Sequence, residues 1–310
     1  MTGISAKQRI KEDFLSGLHN AKKHRIHYLF MLPYAVIFLA FTVIPVIISI
    51  YFGFTYFNIL ESPQWIGLTN YYRLFMQDEI FITAIKNTLI FAVFIGPGGY
   101  IISFGMAWLL NELPRAQRVF LTILFYCPSI SGSIYMIWQY IFSSDSQGLV
   151  NSTLIKFGLI ESPIQYLKNT KFIMPILIVI ILWMSLGTSF LSLIAGFQGI
   201  DRQFYEAGAI DGIRNRWQEL WFITLPVMRQ HLMFAAIMSI TSAFGVGNVI
   251  TDLAGFPTVD YSAHTIMHHL NDYGGIRFEM GYACAIATLL FVLMVGCNKL
   301  VQKLLNKVGT

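Results

Sequence analysis

Two carboxylates lie close together in the most polar stretch of this 310-residue chain, residues 196–230. Glu206 and Asp211 are five residues apart, and paired carboxylates can serve general acid–base catalysis. No histidine, nucleophile or metal-ligand set accompanies them, so they do not form a recognisable catalytic site. We therefore predict no catalytic residue and no metal site, and we interpret this stretch as a docking surface.

The same stretch carries the signals of a short, capped helix. The Asp201 carboxylate can accept a hydrogen bond from a free backbone amide, and Gly212 can adopt the left-handed conformation that ends helices. These signals predict a helix over 202–210, followed by a second, amphipathic stretch that Pro226 limits. We expect one face of the second stretch to carry Trp217, Leu220, Trp221 and Leu225.

The composition excludes a soluble protein. Hydrophobic residues make up 55% of the chain and charged residues 12%, with a mean hydropathy of +0.61. A membrane-spanning helix requires roughly 20 apolar residues. Six stretches meet that requirement, which predicts an all-α, polytopic membrane protein with six transmembrane helices. These stretches are 28–52, 84–110, 119–142, 172–195, 229–251 and 279–301.

The positive charges predict the orientation of these helices. Lys and Arg number 15 in the termini and the even-numbered connections, against 6 in the odd-numbered connections. The positive-inside rule then places both termini in the cytoplasm, and the net charge of +5 is no sign of nucleic-acid binding. We divide the chain into a cytoplasmic tail (1–27), a membrane domain (28–302) and a second cytoplasmic tail (303–310). Eight of the 37 charged residues lie in the cytoplasmic connection 196–230.

The sequence of that connection resembles the EAA loop of permease subunits of binding-protein-dependent ABC importers. The family pattern is E-A-A-x-x-x-G, nine further residues, then I-x-L-P. This chain has Gly208 in place of the second alanine, and ten residues between Gly212 and Ile223. An extra residue inside a helix would rotate the following residues by about 100°, whereas a turn would absorb it. The resemblance implies that ATPase coupling involves Glu206, Ala207, Gly208, Asp211, Gly212, Leu225 and Pro226.

Further segments resemble the sugar-type branch of these importers, which includes permeases for oligosaccharides and glycerol phosphate. Examples are Asn87-Thr88-Leu89 and the segment Phe278-Glu279-Met280-Gly281-Tyr282-Ala283. The resemblance implies an ATP-driven permease of the bacterial plasma membrane that works by alternating access. The implied partners are an ATP-binding cassette ATPase dimer, a second and different permease subunit, an extracytoplasmic solute-binding protein and membrane lipid. ATP and Mg would be bound by the ATPase, because this sequence has no G-x-x-x-x-G-K-[ST] phosphate loop.

Polar and aromatic residues within the spans suggest a path for a carbohydrate, which offers both hydroxyls and apolar ring faces. Breaks in the spans are expected at Gly96-Pro97-Gly98-Gly99, at Pro128 and at Gly245-x-Gly247, either as hinges or as ordinary packing kinks. The histidines at 264, 268 and 269 are expected on the external surface. A secondary transporter or channel for a small neutral solute remains the alternative function. The candidate path residues are Tyr135, Trp183, Thr188, Ser189, Ser242, Asn248 and Tyr282.

Overall fold

The computed structural model describes residues 25–131 and 134–305. The predicted tail 1–27 therefore lies almost entirely outside the described residues, as does most of the tail 303–310. The chain divides after Phe52 into two compact units.

The first unit is a single apolar helical rod. Helix α1 (Arg25–Phe38) passes through a π-helical turn (Leu39–Val43) into α2 (Ile44–Phe52). The π turn ends two residues before Pro45, whose missing N–H cannot complete an ordinary α-helical turn. None of the described side chains in this rod is buried within its own unit, as expected for a helix that faces lipid or another protein.

The second unit contains the remaining spans, the connections and a small hairpin. Strand β1 (Thr55–Tyr56) pairs antiparallel with β2 (Gln64–Trp65), with Thr55 opposite Trp65. The α-helices are α3 (Thr69–Met76), α4 (Glu79–Asn111), α5 (Arg115–Ile130), α6 (Tyr135–Ile141), α7 (Leu149–Lys156), α8 (Ile173–Met184), α9 (Thr188–Gln198), α10 (Arg202–Ile210), α11 (Arg216–Glu219), α12 (Leu225–Val227), α13 (Arg229–Phe244), α14 (Gly247–Ala254), α15 (Ile266–Asn271) and α16 (Met280–Leu305).

Shorter helical turns complete the connections. Two are 3₁₀ turns (Tyr166–Lys168 and Val259–Tyr261) and two are π turns (Leu220–Thr224 and Asp272–Ile276). The π turn Leu220–Thr224, which lies between α11 and α12, is called the 220–224 turn below.

The prediction of an all-α membrane fold is confirmed. Four helical stretches in the described part are long and apolar enough to cross a membrane, and the count rises to six if each of two bent pairs is one span. The predicted span 119–142 corresponds to two helices, α5 and α6. The predicted span 172–195 is also interrupted, because α8 ends at Met184 and α9 begins at Thr188.

Helix α4 is the axis around which the core is built. It packs on α9 and α13, which also pack on each other. One end of α4 meets α15 and α16 at the buried Phe81, and we call this the hairpin end because β1 and β2 lie there. The other end meets α9, α13 and the 220–224 turn at the buried Leu110, and we call this the loop end.

Small residues let the helices approach closely, as is usual inside membranes. A Cβ placed on Gly98 would lie 3.0 Å from Leu182, and a Cβ on Gly99 would lie 3.0 Å from Ser185. The segment predicted as a break at Gly96–Gly99 is thus a close-packing site, because α4 continues through it without interruption. At the hairpin end, the Gly281 amide donates to the Phe57 carbonyl at 2.9 Å, joining α16 to the hairpin.

Candidate functional site

A cavity of about 380 Å³ lies half-way along α4, beside Ile95 and Gly99. Its other walls come from α5, α8, α9, α13 and α14. This depth corresponds to the middle of the membrane, since α4 is 33 residues long and Ile95 is its central residue. The remaining lining residues are Tyr126, Ser129, Ile181, Met184, Ser185, Gly187, Thr188, Ser189, Met238, Ser239, Ser242, Gly245, Val246 and Val249.

Two helix breaks meet at this cavity. One is the segment from Ser185 to Gly187 between α8 and α9, and the other is Gly245 and Val246 between α13 and α14. The Ser185 carbonyl accepts hydrogen bonds from the Gly187 amide at 2.8 Å and from Ser103 Oγ at 3.3 Å. Non-helical backbone at membrane depth is tolerated where it is buried in protein or lines a cavity. The breaks therefore bring polar backbone groups to the cavity wall.

The cavity is lined by hydroxyl groups and apolar surface. None of its described lining residues is charged. Ser185 Oγ donates to the Leu182 carbonyl at 2.6 Å and Ser129 Oγ donates to the Tyr126 carbonyl at 2.8 Å, which leaves their lone pairs free to accept from a ligand. This lining suits a neutral ligand that carries hydroxyls. The serine and threonine residues are Ser129, Ser185, Thr188, Ser189, Ser239 and Ser242.

At the loop end, α10 has the caps that the sequence predicted. Asp201 Oδ1 accepts from the Gln203 amide at 3.0 Å, and Gly212 has a φ of 92°. A second cap follows, in which Asn215 Oδ1 accepts from the Gln218 amide at 2.8 Å and starts α11. Both helix starts are thus fixed by local side chains, which confirms the predicted short helix after Asp201.

The extra residue between Gly212 and Ile223 is accommodated inside a helix. The helix that begins at α11 widens into the π-helical 220–224 turn, and such a turn contains one residue more than an α-helical turn. The insertion is therefore absorbed within the helix, so the rotation of about 100° is not passed on. Within this turn Ile223 and Thr224 are buried. Tyr205 Oη of α10 lies 3.0 Å from Thr224 Oγ1, and the two hydroxyls form a hydrogen bond.

The π turn changes which side chains of the second stretch face the protein. Leu220 is buried at 6% exposure, but Trp217 and Trp221 are 70% and 64% exposed. The prediction that these three residues share a face with Leu225 is therefore wrong. The inward face consists of Leu220, Ile223 and Thr224, whereas Trp217 lies against Trp108 at the end of α4, where its other side stays exposed.

The outward surface of α10 is partly apolar. Phe204 is 53% exposed and Ile210 is 88% exposed, and Glu206 lies between them, 3.2 Å from Arg202. We call the exposed side of α10, which carries Phe204, Glu206 and Ile210, the docking surface. Exposed apolar side chains grouped in this way are typical of protein-binding sites.

Comparison with known proteins connects these features to a family. The family of binding-protein-dependent transport system inner membrane components matches residues 99–307. The chain belongs to this family. The match includes the docking surface and every described lining residue of the cavity except Ile95, so this inner membrane component carries most of both within the segment that defines its family.

Known relatives of this inner membrane component are bacterial permeases. The probable ABC transporter permease protein YesP of Bacillus subtilis is 31% identical over 308 residues, which cover 95% of this chain and 93% of YesP. The arabinooligosaccharides transport system permease protein AraP of Bacillus subtilis is 28% identical, over 89% and 87% of the two chains. A crystal structure of a bacterial ABC transporter involved in the import of the acidic polysaccharide alginate contains a chain with a TM-score of 0.71 and 26% identity. The match covers 92% of the permease described here and 98% of the chain in the alginate transporter.

The residues predicted to couple the permease to an ATPase lie in two segments of the structure. Five of the seven lie on or next to α10, and Gly208 is the buried one, against Ile223. Leu225 and Pro226 are half-buried and follow the 220–224 turn. The exposed members are Glu206, Ala207, Asp211 and Gly212.

The predicted path residues are divided between the cavity and other places. Thr188, Ser189 and Ser242 line the cavity. Tyr135 and Trp183 do not line the cavity. Tyr135 packs against a neighbouring hydrophobic cluster together with Trp138, and Trp183 meets Trp138 edge to face at 5.2 Å. Asn248 is exposed on α14, and Tyr282 is buried at the hairpin end, at 2% exposure.

Sequence reasoning missed other lining residues. Gly187 lies in a helix break, and both Gly187 and Met238 line the cavity although neither carries a polar side chain. The consecutive Ser185-Leu186-Gly187-Thr188-Ser189 was a usable signal, since these residue types are unusual together in the middle of an apolar span.

The histidines expected on the external surface are buried. His264, His268 and His269 are 1–2% exposed. His269 Nε2 lies 2.9 Å from Asp78 Oδ2, and His264 Nε2 lies 3.3 Å from His269 Nδ1. The prediction failed because the acidic partner, Asp78, is 191 residues away in the sequence. Burial lowers the pKa of His264 to about 3, with a further contribution from the neighbouring imidazoles, and burial lowers that of His268 to about 4.

Asp78 organises the hairpin end. It caps α4 by accepting from the Phe81 amide at 2.9 Å, and Tyr282 Oη donates to it at 2.8 Å. Burial would raise the pKa of Asp78. The hydrogen bonds from His269, the Phe81 amide and Tyr282 outweigh that effect and hold the pKa well below its usual value. A second ion pair, Arg73–Glu279 at 2.6 Å, lies alongside, with the Arg73 guanidinium 4.2 Å from the Tyr282 ring centre.

Proposed function

We propose that this chain is the permease subunit of an ATP-driven importer for a sugar or oligosaccharide, coupled through residues 196–230 to a separate ATPase. The observation that carries this proposal is the hydroxyl-lined cavity at the middle of the membrane, in a chain of the inner membrane component family. Named relatives transport arabinooligosaccharides, lactose and polygalacturonan or rhamnogalacturonan, which are all saccharides. The alginate importer with the same fold also handles a polysaccharide.

The cavity chemistry supports a neutral saccharide. Sugar hydroxyls can donate to the serine and threonine oxygens, while the side chains of Met184, Met238 and Ile181 cover the apolar faces of a sugar ring. A volume of about 380 Å³ in one subunit provides half of a path that a second permease would complete. Alternating access would then move the helices around this cavity.

The docking surface supports coupling to an ATPase. A helix with fixed caps moves as a rigid body, and the exposed Phe204 and Ile210 offer apolar contacts around the Glu206 carboxylate. Glu206 can form a charge-assisted hydrogen bond with a basic group of the partner. ATP and Mg would remain on that partner.

The remaining partners follow from the same proposal. A second permease subunit would form the other half of the pore, a solute-binding protein would deliver the saccharide at the hairpin end, and lipid would surround the apolar helices. The charge count supports a cytoplasmic location for both termini and for the loop end. The ATPase would then approach α10 from the cytoplasm.

Reconstitution into liposomes tests the function. The chain is combined with its ATPase, second permease and binding protein, and uptake of labelled oligosaccharides is measured with and without ATP. We expect uptake that requires ATP and all four components, and none from this chain alone. Transport by this chain alone, driven by a proton or sodium gradient, would overturn the proposal and establish the secondary-transporter alternative.

A further inference from the structure

The segment 216–224, formed by α11 and the 220–224 turn, makes direct contacts with the loop end of α4. Arg216 Nη2 lies 2.9 Å from Glu112 Oε2, and Glu112 is the residue that follows the last turn of α4. One turn earlier, Trp108 meets Trp217 edge to face at 5.1 Å. A guanidinium at this position also interacts favourably with the carbonyl end of the helix.

The other side of segment 216–224 is packed on α10. Ile223 fills the space in front of Gly208, and Tyr205 is hydrogen bonded to Thr224. Thr224 Oγ1 in turn donates to the Glu219 carbonyl at 3.2 Å. The segment therefore has one face on the docking helix and one on α4.

A cavity of about 710 Å³ shows why this segment matters. It is lined by Arg202 and Tyr205 from α10 and by Trp108 and Asn111 from α4. Displacement of α10 cannot be passed to α4 across open space, because only atoms in contact transmit a displacement. Segment 216–224 contacts both helices at the border of this cavity and provides a packed connection, in addition to α9, which precedes α10 in the chain and packs on α4.

Helix α4 links this contact to the transport cavity. It is helical without a break from Glu79 to Asn111, and Gly99 touches Ser185 at the first helix break. Glu112 and Gly99 are separated by about 20 Å along the helix axis. A push on Glu112 therefore reaches the wall of the cavity.

We propose that Arg216 and Glu112 are positioning residues for coupled transport, joining the docking helix to α4 so that motion of α10 shifts Gly99 against Ser185. The inference rests on the proposed ATPase coupling through residues 196–230. It assigns to this ion pair a role distinct from docking, because the pair connects two elements of this chain.

The experiment compares two substitutions that each remove one carboxylate from the same guanidinium. E112Q breaks the link between elements, while E219Q breaks only the 2.8 Å pair within the segment. Both are made in the complete reconstituted importer. Saccharide transported per ATP hydrolysed and the Kd of the ATPase for the membrane subunits are then measured.

We expect E112Q to lower transport per ATP by about two- to fivefold, the range for a partly exposed ion pair, with an unchanged Kd. E219Q should stay within about twofold of the wild type, since Arg216 retains Glu112. The triple variant E112R/R216E/E219Q restores an ion pair with reversed polarity and avoids placing two carboxylates together. It should recover the transport ratio of E219Q.

Two outcomes would overturn the inference. The first is a wild-type transport ratio in E112Q, and the second is a triple variant no better than E112Q. Either would leave the proposed function intact, provided that the E206A variant still weakens ATPase binding. Failure of the proposed function would be seen separately, as transport by this chain alone without the ATPase.

Discussion

Gly208 occupies the position where the importer pattern has alanine, and the structure explains the substitution. A Cβ at this position would lie 2.5 Å from Ile223 Cδ1 and 3.1 Å from Ile213 Cδ1. Carbon atoms in contact normally stay about 3.5–4.0 Å apart. G208A must therefore displace the Ile223 methyl by about 1 Å or more, in a buried contact between α10 and the 220–224 turn.

The energetic effect of G208A depends on Ile223. Overpacking of this kind costs about 1–3 kcal/mol. Alanine also favours the helix over glycine by about 1 kcal/mol, so the net destabilisation is about 0–2 kcal/mol. I223V removes the Cδ1 atom that would clash, at a cost of about 0.5–1.5 kcal/mol. In the I223V background, G208A should therefore become stabilising by up to about 1 kcal/mol.

A double-mutant cycle measures this dependence directly. The wild type, G208A, I223V and G208A/I223V are unfolded in mixed micelles of SDS and a mild detergent, and the free energy of unfolding is compared. We expect an interaction energy of about 1–3 kcal/mol that favours the double variant. The Kd for the ATPase should follow the same order, with G208A the weakest binder.

Gly105 provides the matched control. It lies within α4, and a Cβ placed on it would have no described atom within 4 Å, so G105A should gain helix stability without overpacking. The reasoning would be refuted if G208A changed the free energy of unfolding equally in the wild-type and I223V backgrounds. The extra residue and the glycine would then be unrelated features of this loop.

Three further predictions concern the cavity and the hairpin end. G187L should fill part of the cavity and reduce saccharide uptake at least tenfold without loss of assembly, whereas G187A, whose Cβ would lie 3.6 Å from Ser129, should transport normally in liposomes. Because the pKa values of His264 and His268 are lowered in the folded protein, the unfolded chain takes up protons on these histidines at a higher pH than the folded chain does. The free energy of unfolding should therefore fall below pH 6.5 by up to about 1.4 kcal/mol per pH unit for each histidine. A double His→Gln variant should flatten this pH dependence in thermal unfolding. Y282F should lower the free energy of unfolding by about 1–3 kcal/mol by removing a donor to Asp78, with an unchanged KM for the saccharide; a raised KM would instead place Tyr282 on the transport path.

Local signals explain which parts of the fold could be predicted from the sequence. Apolar length identified the membrane helices, and the Asp201 cap and Gly212 defined α10, because each depends on residues within a few positions. Helix ends of this kind form from short-range hydrogen bonds. The structure agrees with the sequence most closely at these places.

Long-range contacts explain the features that were missed. The histidines are buried because Asp78 lies next to them in space, and the sequence contains no sign of that proximity. The position of Trp217 depends on Trp108 of α4, and the π turn is accompanied by Ile223 packed on Gly208. A helical periodicity of 3.6 residues cannot anticipate a turn that departs from it.

The two ends of α4 differ in how their polar groups are held, and this difference indicates where the permease moves. At the hairpin end, the Asp78–His269 pair has side-chain exposures of 9% and 3%, and Asn87 donates to two carbonyls of the same connection. Breaking buried hydrogen bonds leaves costly unsatisfied groups, so this end resists rearrangement. At the loop end, Arg216 and Glu112 are 65% and 43% exposed, so these charged groups stay hydrated while the end of α4 moves. A displacement imposed on the docking surface should therefore tilt α4 about its fixed hairpin end and change the cavity at Gly99. Cysteine cross-links at the hairpin end should leave transport intact. A cross-link between positions 108 and 217 should also leave it intact, because segment 216–224 and α4 are expected to move together; loss of transport would show that they must separate.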